Sequence, residues 1–298
     1  MTKSLDVLKD IYKPLKYTIK GHATILETTS GDFVLKEKTK DLKELYSYLE
    51  SRNFNYFPKL IDHSRRSVNV FEYIKDTDMP REQKASDLID VVSLLHNKTS
   101  YFKEVSKDKY QEIYENIISN INYLNEYYNN TYEALFMEST LSPDKYLFMR
   151  NAYKIFLALK FCQDNLDDWY DLVKDETKQR VSLIHNNLET DHFIKGEKDY
   201  LISWDKSRID TPILDIVNFY KKEYFNYDFS VLLKEYLKKY PLSEAELKLF
   251  FIVISLPPKI EFKDSVFINC KNIRYDLDYI FKTEELVRPY YSKEEEEQ

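Results

Sequence analysis

A chain of 298 residues, 43% hydrophobic and 32% charged, carries enough apolar side chain for a sizeable core, in two ordinary domains or one two-lobed unit. A formal net charge of −7 argues against a nucleic-acid surface, which needs an excess of Lys and Arg on some face. The best apolar run, residues 249–256, falls far short of the roughly 20 residues that span a bilayer. The first residues, MTKSLDVLKD, hold no apolar stretch of the signal-peptide kind. The expectation is a cytoplasmic protein with no membrane and no nucleic-acid partner, in which the isolated Cys162 and Cys270 stay thiols.

In chain order, Leu5, Leu8 and Ile11 predict a short leading helix over residues 1–12. From residue 17 to 37 the period changes to β-branched runs broken at Gly21 and at Ser30-Gly31-Asp32, which predicts two or three antiparallel strands. FVLK, residues 33–36, ends the third. Leu42, Leu45, Tyr46 and Leu49 then sit at i, i+3, i+4 and i+7, a helix with one buried face. Asp41 and Glu44 are spaced for an N-cap pair at its start. NYFPKL (55–60) and VNVFEYI (68–74) read as two further strands. Leu88, Val91, Val92 and Leu95 predict a helix ending in LLHNKT, whose His96 reads as a structural hydrogen-bonding residue. Long helices follow over 110–128 and from 144 to 159 or beyond, their aromatic residues serving as packing between helices. Residues 229–240 and 243–254 predict two more helices, the second opened by a Ser243-x-x-Glu246 capping box and stopped at Pro257-Pro258. The closing KEEEEQ reads as a solvated, disordered tail. One boundary, near residues 77–85, divides a β-rich 1–78 from a helical 79–290, with 291–298 as the acidic tail.

The stretch 182–220, SLIHNNLETDHFIKGEKDYLISWDKSRIDTPILDIVNFY, organises the rest. Apolar and polar residues alternate up to His185, and a polar loop leads into a hairpin with Gly196 near its tip. An apolar strand over 200–204 precedes charged residues, Pro212 and an apolar helix containing Asp215. This layout resembles the catalytic segment of the aminoglycoside and choline phosphotransferase branch of the protein-kinase-like superfamily: H-G-D-L-x-x-x-N, a hairpin, I-D-W, then an Asp in a helix. His185, Leu188, Ile202, Trp204, Pro212 and Asp215 fall on the pattern. Asn187 stands at the catalytic Asp, His192 at the metal-binding Asn and Ser203 at the metal-binding Asp. The run KKYPLSEAELKLFFIVISLPPKIEF is similar, more loosely, to the C-terminal region of the spore-coat-associated subgroup.

The resemblance implies an α+β, two-lobed kinase-like fold with a small β-rich N-lobe and a large helical C-lobe. It implies that Lys36 corresponds to the strand Lys that holds phosphates, although the tetrapeptide alone favours a surface Lys at a strand end. Glu44 would pair with that Lys or cap its own helix. Glu72, Tyr73 and Ile74 would offer main chain to an adenine ring. His185 would be structural in the loop, and Asp215 would prop the loop without reacting. The usual Gly-rich phosphate cover is reduced to Gly21.

Phosphoryl transfer in this fold needs a carboxylate at the attacking hydroxyl, a magnesium ion and a Lys. An amide at Asn187 takes up no proton near neutral pH, and His192 with Ser203 offers magnesium no charge. Asp205 would reach the site if the strand continued past Trp204, since i and i+2 share a face; Asp191 and Asp210 are also near in sequence. His185, Asp191 and His192 lack the further spaced partner that a transition-metal site wants. The expected function is a catalytically degenerate kinase-like protein that binds an unidentified protein or small-molecule ligand, with no cofactor certain. The alternatives are an active phosphotransferase using ATP and Mg²⁺ on a small hydroxylated substrate through displaced carboxylates, and a structural coat or scaffold protein.

Overall fold

A computed structural model of the chain describes residues 12–62 and 67–296, so the leading helix expected over 1–12 lies, but for Tyr12, outside the described residues. The chain divides into two compact units: Met1–Ser100 with Ser182–Asp210, and Tyr101–Val181 with Thr211–Gln298.

The first unit is built on a five-stranded antiparallel sheet of β1 (Lys16–Lys20), β2 (Ala23–Thr28), β3 (Gly31–Glu37), β4 (Leu60–Asp62) and β5 (Val68–Glu72), in the order β1-β2-β3-β5-β4. Alternation sorts its faces. Leu26, Leu35, Val68 and Val70 form a buried cluster on one, joined by Tyr12 and Phe33. On the other, Lys36 lies opposite Asn69 and Val34 opposite Phe71. Gly21, at φ +58°, makes the β1–β2 turn, and a Cβ there would meet nothing within 4 Å; the turn geometry alone asks for glycine. The segment 55–59, expected as strand, is a loop, and pairing begins only at Leu60. Pro58 has no N–H to give to a ladder there.

Helix α1 (Leu42–Ser51) buries Leu42, Tyr46 and Leu49, and its N-cap Asp41 accepts from Lys43 N at 3.0 Å. Helix α2 (Arg81–Thr99) buries Leu88, Val91, Val92 and Leu95 as its spacing predicts, together with His96. The rest of this unit runs from the end of a strand β7 (Lys178–Ile184) to β10 (Arg208–Asp210), which pairs with Ser182–Ile184. Between them lies the hairpin β8 (Phe193–Lys195) and β9 (Asp199–Leu201).

In the second unit, β6 (Tyr101–Glu104) pairs with the first half of β7; this strand was not expected from the sequence. Helices α3 (Lys109–Phe136) and α4 (Pro143–Val173) pack antiparallel partners such as Tyr128 and Phe148 into the core. They are followed by α5 (Ile213–Glu223), α6 (Phe229–Lys239), α7 (Glu244–Ser255) and α8 (Val266–Glu296). Both halves of the Ser243/Glu246 capping box are formed, and α7 ends two residues before Pro257. The acidic run expected as a disordered tail is helical backbone as far as Glu296. None of the described helices is long and apolar enough to cross a membrane.

Candidate functional site

The site is a loop-rich corner of the first unit, made by the end of β3, the start of α1, and residues 185–207. Its backbone is fixed from within. His185, fully buried at the end of β7, donates from Nε2 to the Ile202 carbonyl at 2.9 Å and packs edge-on against Trp204, ring centroids 4.8 Å apart. Trp204 donates from Nε1 to Leu201 O at 2.8 Å and meets Phe54 edge-on. His192 donates from Nδ1 to Asn187 O at 2.8 Å, and its own carbonyl accepts from Ile202 N at 2.9 Å. One loop carbonyl is thus held by each imidazole, which gives both histidines a structural task.

The strand over 200–204 stops early. β9 ends at Leu201, Ser203 takes a left-handed conformation at φ +68°, and Trp204–Lys206 form one 3₁₀ turn. Asp205 therefore reaches the site by a turn and not by strand alternation, which corrects the route expected from the sequence. Its Oδ2 lies 2.6 Å from Lys36 Nζ, and its Oδ1 accepts from Thr39 Oγ1 at 3.1 Å. The same Lys36 ammonium donates to Ser203 Oγ at 3.1 Å. Lys40 donates to Ser207 O at 2.5 Å and to Ser207 Oγ at 3.1 Å. Lys206 brings its ammonium to 3.5 Å from Asn187 Oδ1.

Burial alone would push the Asp205 carboxyl up, but the Lys36 ammonium and the Thr39 hydroxyl hold it below its ordinary value. Burial lowers the Lys40 ammonium, with the Asp205 charge working the other way. The Tyr46 phenol, on the inward face of α1, is pushed up by burial and then by the nearby Asp205 charge. Tyr46 and Thr39 escaped sequence reasoning. The buried stripe of α1 carries Tyr46 and not Glu44, so the helical period held the clue to which residue faces Asp205.

The other residues singled out from the sequence lie as follows. Glu44 is exposed on the first turn of α1. Glu72 Oε1 accepts from Lys59 N at 2.8 Å; the Glu72 and Tyr73 N–H groups donate to Lys59 O and Asp32 O within the sheet region. Ile74 N–H takes no main-chain partner among the described residues. Ile74 instead touches the hairpin, since a Cβ on Gly196 would come within 2.7 Å of its side chain; glycine is needed there for close approach. Asp191 is exposed, and Asp210 pairs with Arg208 at 2.8 Å. Asp215 lies in the second unit, buried in the first turn of α5.

A divalent ion of the kind the family resemblance implies would want several hard oxygens. At the two positions that the resemblance assigns to a metal stand an imidazole tied to Asn187 O and a hydroxyl tied to Lys36, and the Asp205 carboxylate is already the counter-ion of Lys36. No group of three His, Cys, Asp or Glu side chains that would hold a metal occurs among the described residues. The donor set does not fit magnesium.

No family model and no curated protein matches the sequence. Among solved structures the chain is similar to an aminoglycoside phosphotransferase from Alicyclobacillus acidocaldarius, with a TM-score of 0.63 and 8% identity over 95% of this chain and 92% of that one. It is also similar to an AMP-bound spectinomycin phosphotransferase, with a TM-score of 0.53 and 13% identity over 97% and 94%. A choline kinase from Streptococcus pneumoniae aligns at a TM-score of 0.46 and 15% identity over 96% and 99%. The chain thus has the mixed α/β fold of the kinase-like aminoglycoside phosphotransferases, with its β-rich sheet N-terminal and its helices C-terminal.

Proposed function

We propose that this chain is a catalytically degenerate kinase-like protein that has kept a ligand-binding cleft and lost phosphoryl transfer. The observation that carries the reading is the internal ion pair of Lys36 and Asp205, closed by Ser203 and Thr39. It satisfies within the chain the ammonium that phosphoryl transfer would need for phosphates, and spends the nearby carboxylate on it. Asn187 adds to this, because an amide whose oxygen faces Lys206 does not take a proton from an alcohol. The loop's hydrogen bonds, intact without a base, support a role in shape and binding. The Pro257–Pro258 turn after α7 supports kinship with the spore-coat-associated subgroup within the fold, and a cytoplasmic setting is part of the same reading.

One observation favours the rival reading, an active ATP-dependent phosphotransferase: Asp205 does arrive beside Ser203, and one more oxygen ligand would begin a metal site. A transfer assay decides between them. Purified protein is incubated with γ-labelled ATP and Mg²⁺ over a panel of amino alcohols and aminoglycosides, and label in product is counted. The expected result is no transfer above a Lys36→Ala control, and transfer abolished by Asp205→Ala would overturn the proposal.

A further inference from the structure

Helix α4 carries a regular seam on its outer side. Tyr146, Arg150, Tyr153, Leu157, Lys160 and Asp164 follow one another at spacings of 4, 3, 4, 3 and 4 residues, and all six are exposed. That alternation is the one by which two helices keep a common seam along their length. The inward face of the same helix is occupied, with Phe148, Ala152, Ile155, Leu159 and Leu166 buried in the core. On the outward seam large apolar side chains are left in water, Tyr146 and Tyr153 at 58% and Leu157 at 61% exposure. The apolar surface widens onto the end of α3, where Tyr132 meets Phe156 edge-on and stacks on Phe136, itself 69% exposed. Single apolar residues scattered on a surface need no explanation, but a contiguous patch at heptad spacing is what a partner helix packs against.

The charges along the seam select the partner and its direction. Toward the start of α4 stands Arg150, exposed and in no ion pair among the described residues. Toward the end the seam turns acidic, with Asp164, Asp168 and Asp171 all exposed. A second copy of α4, laid antiparallel about a two-fold axis at the level of Leu157, brings Arg150 of each copy opposite Asp164 of the other, since both lie seven residues from the axis. Leu157 then meets its own counterpart, and Tyr153 meets the half-buried Phe161 of the second copy. A parallel pair would instead set Arg150 against Arg150 and the acidic run against itself. Lys154 and Lys160, three residues either side of the axis, are like-charged in the antiparallel register, but helical periodicity puts them on opposite edges of the seam, and Asp164 already holds the Lys160 ammonium at 2.7 Å.

We propose that the outer face of α4 is a homodimer interface, in which two chains pair antiparallel across a two-fold axis at Leu157. This register overlaps residues 143–171, nearly the whole helix. A helix of 31 residues offers a strip about 46 Å long and about 10 Å wide, roughly half of the ~800 Å² that each partner of a stable dimer buries, and Tyr132 and Phe136 broaden the strip toward that figure. The inference is independent of whether the cleft transfers phosphate, since every residue in it belongs to the helical unit.

The test is sedimentation equilibrium of the full-length protein over a concentration series. The native chain is expected at twice its own mass, falling toward a single mass on dilution. Leu157→Lys sets two like charges face to face at the axis and should leave a monomer with unchanged helical circular dichroism, because the position is exposed in the single chain. Arg150→Asp and Asp164→Arg should each weaken association about tenfold, since symmetry turns two attractive contacts into two repulsive ones. Mixed in equal amounts, those two variants should pair with one another, because every opposed couple is then one Asp and one Arg. That recovery needs the antiparallel register, and a fold defect would not produce it. A monomer at every concentration would overturn the proposal, even one on which a different protein docks. A dimer that Leu157→Lys leaves intact, charge variants that associate alone as tightly as the native chain, or charge variants that stay apart when mixed would each overturn it as well.

Discussion

Two ion pairs, one in each unit, are built differently. In the helical unit, the Arg180 guanidinium meets Glu246 through two nitrogens, one at 2.9 Å from Nε to Oε1 and the other from Nη2 to Oε2. Nη2 also donates to Pro241 O at 2.9 Å, and the guanidinium carbon sits 4.5 Å from the Tyr240 ring centroid. Glu246 is held in turn by the capping box of α7, its Oε2 accepting from Ser243 N at 2.8 Å. Nε and Nη2 of this planar cation have fixed acceptors, and the Tyr240 ring covers one of its faces. In the sheet unit, Lys36 is a point charge on a flexible stem, held by one carboxylate oxygen and one hydroxyl. A planar fork held by two nitrogens and a ring ties elements together, whereas a point charge with a single opposite partner can exchange it. The first pair is architecture and the second is a replaceable contact.

Breaking the architectural pair should cost most. Arg180→Ala leaves Glu246 mostly covered and without its cation, and is expected to destabilise the helical unit by about 2–4 kcal/mol in urea unfolding, somewhat below the figure for a fully buried pair. A loss under about 1 kcal/mol would put the two pairs in one class. Removing the cap beneath it separates the contributions: Ser243→Ala should cost about 1 kcal/mol, the usual worth of an N-cap. A cost equal to that of Arg180→Ala would mean that Glu246 is positioned by the helix start and not by the guanidinium.

The smallest effect is expected at the exchangeable pair. Lys36→Ala should cost less, about 1 kcal/mol near neutral pH, because the pair, though about as covered as the other, rests on one bond to the carboxylate and Thr39 still holds Asp205. That difference should also carry a pH signature. The folded Asp205 carboxyl lies below its ordinary value, so its contribution is present above the unfolded-state value and is lost as the pH falls through the folded one. Native protein and Lys36→Ala should therefore converge in thermal melts as the solution is acidified. A gap that widens in acid would remove Asp205 as the partner that matters.

What could be read from the sequence tracks how local each contact is. The Ser243/Glu246 box spans three residues and is present in full. The buried stripes of α1 and α2 follow from spacing alone, and the hairpin around Gly196 falls where turn residues place it. β6 went unread because a four-residue strand between long helices acquires its identity only from β7, more than seventy residues later in the chain. The Asp205 contact went unread in its geometry because Ser203 is an uncommon residue for a left-handed turn, and nothing in the neighbouring sequence announces that β9 stops at Leu201. The pairing of Lys36 with a residue 169 positions away is a tertiary fact that no window of sequence contains.

The left-handed backbone at position 203 also bears on which side chains that position admits. Aspartate and asparagine enter that region of conformational space more readily than other side chains, and branched residues are kept out of it. Aspartate in place of Ser203 would thus be accepted by the main chain as it stands. Under the reading proposed above, it is the side chain at position 203 and not the backbone that keeps a second carboxylate out of this corner.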